Sequence, residues 1–185
     1  SDLSHIEGDA VHTQYLVDLR TRLWARLKTT IPWKRHCRSP RGGMEIHLNE
    51  LILAFFCKLA NGFGPATSYT KGLKDEQIIP FLPVLTEIAA ASAPCPAIAR
   101  LFLDVLELVD PQKAEPFLLS AAISWASGGD QRFWKELGIG PRVCALAERA
   151  AIRPPAQQWI EIADVIAATG VVAGETLKQA LRARQ

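Results

Sequence analysis

The chain has 185 residues, of which 49% are hydrophobic and 22% charged, with a formal net charge of +2. That length suits one domain with a substantial core, and this balance of apolar and charged residues excludes an intrinsically disordered chain. A net charge so close to zero also excludes any argument from global electrostatics for a nucleic-acid or membrane-surface partner.

Charge is unevenly spread, at +4 over residues 1–43, −4 over residues 44–127 and +2 over residues 128–185. Helical periodicity dominates from the start, and alternating strand patterns are nearly absent. The first helix is predicted from about Asp9, a natural N-cap, to Lys28. Leu16, Leu19, Leu23 and Leu27 form its apolar stripe, widened by Tyr15 and Trp24. Residues 31–43 contain Pro32, Pro40 and Gly42-Gly43, and cannot be regular structure. A second helix is predicted from Glu45 to Asn61, with Leu48, Leu51, Ile52, Phe55 and Leu59 on one face and Ile46 and Phe56 widening it. A third begins near Asp75-Glu76, where two acids meet the positive end of the helix dipole, and continues to about Ala91. Pro83 is expected to kink or divide it, because proline lacks the N–H that a helix interior needs.

Beyond residue 95 the pattern becomes regular. Pro96, Pro111, Pro141 and Pro155 each stand where a helix can begin, since proline suits the first helical position. Ile98, Leu101, Phe102, Val105, Leu108 and Val109 trace an amphipathic stripe. Asp110 is placed to cap the next helix, which runs to about Ala126. A short helix is predicted at 130–137, and others at 142–152, 156–168 and 174–184. Trp134, Leu137 and Gly138 have the Trp-x-x-Leu-Gly spacing that opens a tetratricopeptide repeat, but Pro141 and Pro154 break the rest of that pattern. No second copy occurs. The expected architecture is therefore an all-α, irregular bundle of about eight helices in a single domain over 1–185. Its front, 1–93, is irregular, and its back, 95–185, is a repeat-like stack of antiparallel helical hairpins.

Signals for chemistry are sparse. Cys37, Cys57, Cys95 and Cys144 are too widely spaced for a metal-binding cluster. Cys57 and Cys144 read as small core hydrophobes in a reducing cytoplasm, although an even number of cysteines leaves disulfide pairing open. The longest apolar run, Leu51 to Cys57, falls far short of the roughly 20 residues that cross a bilayer, so a soluble chain without a membrane span is expected. Asp104 with Glu107, and Glu161 with Asp164, are carboxylate pairs without the histidine that a bundle metal site uses, and they read as wet helix faces. No phosphate-binding glycine loop, nucleophile elbow or zinc-protease motif is present, so no catalytic residue, cofactor or metal is assigned.

Two surface candidates stand out. Arg132, Phe133, Trp134 and Lys135 combine aromatics with cations on a short connecting element, the composition of a partner-binding anchor. The plainer reading of Phe133 and Trp134 is a lid that closes the end of the core. In the basic loop, Lys34, Arg35, Arg38 and Arg41 can neutralise phosphates while Trp33 stacks on a base. The plainer reading there is a solvated linker. The favoured function is a non-enzymatic binding module for a protein partner, the alternative a nucleic-acid-binding domain using the basic loop. The least favoured is an enzyme with a dispersed site around His47 and Glu50.

Overall fold

The computed structural model describes residues 74–90, 94–128 and 130–184, together with Gln14, Tyr15, Asp18, Arg22 and Leu53. The helices expected at 9–28 and 45–61 and the loop at 31–43 otherwise lie outside the described residues. Those five isolated positions are helical. Tyr15 is 62% exposed rather than part of an apolar stripe, and Leu53, which the predicted stripe leaves out, is fully buried.

Among the described residues there is no strand, and six α-helices of eight residues or more are present; the helices expected at 9–28 and 45–61 are not among those counted. The six are α1 (Leu82–Ala89), α2 (Pro96–Leu106), α3 (Pro111–Ser127), α4 (Ile139–Arg149), α5 (Gln157–Ala168) and α6 (Val172–Ala183). Proline sets several of the boundaries. A helical turn at Asp75–Ile78 tightens into a 3₁₀ turn at Ile79–Phe81 before α1 begins, with Pro80 and Pro83 each near the start of its element. The expected break thus falls just ahead of Pro83, which offers no N–H to the carbonyl four residues back. Pro96 and Pro111 open α2 and α3, and the Asp110 carboxylate accepts from the Gln112 N–H at 2.9 Å, capping α3. Asp75 accepts from the Asp110 N–H at 3.1 Å, so the turn before α1 is tied to the start of α3.

The segment from 130 to 138 is not one short α-helix. It forms two 3₁₀ turns, Gln131–Trp134 and Glu136–Gly138, the first capped by Asp130 accepting from the Arg132 N–H. Leu137 (φ 51°) and Gly138 (φ 67°) are left-handed, a geometry that no α-helix can propagate. The new helix, α4, therefore starts at Ile139, with Pro141 inside its first turn instead of at its first position.

Helix α3 packs against α1 and α5, and α4 packs against α2 and α6, while α1 with α2, α3 with α4 and α5 with α6 also touch. One continuous core results. At its centre the Trp125 indole meets Phe102 edge-on (6.2 Å between centroids), Phe133 (5.4 Å) and Trp134 (6.3 Å), and its Nε1–H donates to the Ala89 carbonyl at 2.8 Å. The α5–α6 pairing is close because Gly174 has no side chain. A Cβ there would stand 2.5 Å from the Ala167 nitrogen and 2.8 Å from the Ala163 oxygen, both backbone atoms. Gly174→Ala is expected to force α6 away from α5 and to destabilise the domain by about 1–3 kcal/mol in denaturant unfolding. Unchanged stability would show that the helices are not in such contact.

Candidate functional site

The chain forms a groove of about 440 Å³ where the first three turns of α3 face the connection from α4 to α5. Its size falls within the range of small-ligand and peptide pockets. Leu119, Ile152, Ala156 and Trp159 supply apolar surface; Gln112, Gln157 and Gln158 supply amides; Glu115 and Arg153 supply opposite charges.

Local sequence explains how this space stays open. Helix α4 ends at Arg149 with Ala150 as its C-cap, and Ala151 turns the chain in the left-handed region (φ 49°), donating its N–H to the Glu148 carbonyl at 3.1 Å. Glycine is usual at such a helix end, and alanine there carries roughly 1–2 kcal/mol of steric strain. Pro154-Pro155, joined by a cis peptide bond, follows, and α5 begins at Gln157 rather than at Pro155, where the sequence offered a start. On the opposite wall Pro116 lies inside α3 and lacks the N–H that would bond the Gln112 carbonyl.

The two walls are joined by one polar contact. The Trp159 Nε1–H donates to Glu115 Oε1 at 2.7 Å, across 44 positions of sequence. Trp159 is 1% exposed and Glu115 is half-buried at the groove's edge. This bond satisfies a buried indole donor and fixes the carboxylate in one pose. No lysine, arginine or histidine among the described residues comes within ion-pair distance of Glu115.

Several other carboxylates have cations of their own. Arg142 on α4 joins both Asp104 and Glu107 of α2, the latter at 2.9 Å. Burial disfavours the charged guanidinium, but the hydrogen bonds to Glu107 and Asp104 outweigh it and hold the Arg142 pKa above its ordinary value. Lys178 of α6 bridges Asp164 (2.8 Å) and Glu175 (3.0 Å). Asp104, Glu107 and Asp164 thus join interhelical ion pairs, Glu107 and Asp164 on the exposed helix faces that the sequence indicates, while Glu161 is exposed and accepts from Gln157 Nε2. Among the described residues no group of three or more His, Cys, Asp or Glu is arranged to hold a metal ion. Cys144 is buried, and desolvation followed by the nearby Glu148 charge pushes its thiol up to about 12. Such a thiol carries no nucleophilic chemistry at neutral pH.

Of the predicted partner-binding residues, Phe133 and Trp134 are 2% and 1% exposed, stacked against each other and against Trp125. Their rings offer no surface to a partner in this structure, which matches the lid reading, while Arg132 and Lys135 are exposed beside them. Trp33, Lys34, Arg35, Arg38 and Arg41, like His47 and Glu50, lie outside the described residues. The groove was missed because Glu115 and Trp159 are far apart in sequence and belong to no motif. The available signals were the interior Pro116 and the Pro154-Pro155 pair, each marking backbone that regular helix packing does not fill.

Comparison of the chain with protein-family models, with curated proteins and with solved structures returns no match. Among the described residues no helix is long and apolar enough to cross a membrane.

The Trp159–Glu115 bond can be tested by unfolding. Glu115→Ala strands a buried indole N–H and is expected to cost about 1–3 kcal/mol, whereas Glu115→Gln keeps an acceptor and should cost less than half as much. Equal losses in the two variants would contradict the bond.

Proposed function

We propose that this domain is a non-enzymatic binding module that engages a protein partner, and that the groove between α3 and the α4–α5 connection receives a short segment of that partner. The observation that carries the reading is the groove's lining. Amide side chains both donate and accept hydrogen bonds, as a peptide backbone requires, and Gln112, Gln157 and Gln158 surround an apolar floor. The strained turn at Ala151 on the same rim supports a functional origin, since sparsely populated backbone conformations cluster at ligand sites.

The finer architecture belongs to the same proposal. We infer that the helices form a short stack of hairpins, with α1, α3 and α5 in one layer and α2, α4 and α6 in the other. The neighbour relations of α3 with α1 and α5, and of α4 with α2 and α6, support it. Stacks of this kind expose inter-helix grooves along which partner segments lie. A cytoplasmic setting is consistent with the free Cys144 thiol and remains part of the proposal.

The test is selection of peptides from a random library on the whole chain, followed by affinity measurement against Gln112→Trp. This substitution fills the groove from an exposed position and leaves the Asp110 cap, which uses the backbone N–H, in place. Selected peptides are expected to lose at least tenfold in affinity. A selection that enriches no peptide, or peptides indifferent to Gln112→Trp, would contradict the groove as the binding surface.

A further inference from the structure

Resting on that reading, we infer that the groove selects a partner segment carrying a single lysine or arginine whose side-chain cation seats on the Glu115 carboxylate. The argument is one of charge complementarity. Removing a carboxylate from water is unfavourable unless a cation or several donors compensate. Glu115 is half-buried, and among the described residues its one hydrogen-bond donor is neutral, the Trp159 indole at 2.7 Å. The carboxylates of Asp75, Asp104, Glu107, Asp130, Asp164 and Glu175 each have a basic side chain of this chain within 4.0 Å. Among the described residues Glu115 has none, although Arg153 lines the same groove. A carboxylate pinned by one oxygen and facing a groove is a prearranged acceptor for an incoming cation, and charge-assisted hydrogen bonds are the stronger kind.

Arg153 narrows the chemistry further. It is exposed on the groove and forms no ion pair among the described residues, so it repels a second cation and attracts an acidic neighbour. A polybasic tract is therefore a poor fit, and so is a phosphodiester chain, which Glu115 would repel. The fitting segment has one cation flanked by apolar and acidic residues, with its aliphatic stem along Leu119 and Ile152.

The experiment is a substitution scan of a peptide selected on the whole chain and shown to be displaced by Gln112→Trp. Changing its lysine or arginine to methionine, which keeps the stem and removes the charge, should weaken binding by about tenfold. Against Glu115→Gln the original peptide should weaken by the same factor, and the methionine peptide should weaken no further. Arg153→Glu should improve binding of peptides that carry a second cation. A groove-bound peptide with no cation, or one whose affinity ignores both Lys→Met and Glu115→Gln, overturns this inference and leaves the binding groove standing. If no peptide binds in the groove, both fail together.

Discussion

The Trp125 indole is the contact on which the rest of the described structure depends. Its ring lies between α2, through Phe102, and the 3₁₀ connector, through Phe133 and Trp134, while its Nε1–H closes on Ala89 at the end of α1. One side chain of α3 therefore fixes the positions of two neighbouring helices and of the segment leading into α4. Ser124 reinforces it one residue earlier, its hydroxyl donating to the Ala90 carbonyl at 2.7 Å. Buried aromatic pairs of this geometry add stabilisation beyond the area they remove from water, and a buried indole N–H without an acceptor would cost much of it. The acceptors for the indole and for the Ser124 hydroxyl are backbone carbonyls at the end of α1, which have no intrahelical partner of their own.

A second tryptophan repeats the device to different effect. Trp159 also buries its ring and also donates its N–H, but its acceptor is the carboxylate of Glu115 instead of a backbone oxygen. That choice places a charge at the edge of an opening lined by both apolar and amide groups. The left-handed turn at Ala151 and the two prolines at 154–155 lie in the connection that forms one side of the opening. Two interhelical ion-pair clusters, around Arg142 and Lys178, use up carboxylates elsewhere on the body. Glu115 stands outside them, half-buried on the groove with a neutral donor, and this gives the groove its chemical character.

Most of the helical course beyond residue 95 was legible from sequence, because proline at a first position, an aspartate cap and a 3.6-residue stripe are local signals. Pro96, Asp110 and the run from Ile98 to Val109 act as their spacing implies. Errors arose where a local pattern had two readings. Residues 130–137 carry helix-forming composition, yet the left-handed pair Leu137-Gly138 and the pull of Trp125 on Phe133 and Trp134 divide them into 3₁₀ turns. The aromatics that looked like an exposed anchor are needed by the core, a decision made by tertiary packing that a short window cannot register. The groove was invisible for a related reason. It is made by two segments some 44 positions apart, and its key contact joins residue types common in any amphipathic helix.

The most direct test of the account is the set of tryptophan indole N–H signals in a ¹H–¹⁵N spectrum during titration with a groove-bound peptide. The Trp159 signal, whose proton sits on Glu115, should shift progressively and saturate with binding. The Trp125 and Trp134 signals, locked in the core, should remain in place. Movement of the Trp134 signal with a stationary Trp159 would contradict the groove as the site and return the interaction to the 3₁₀ connector.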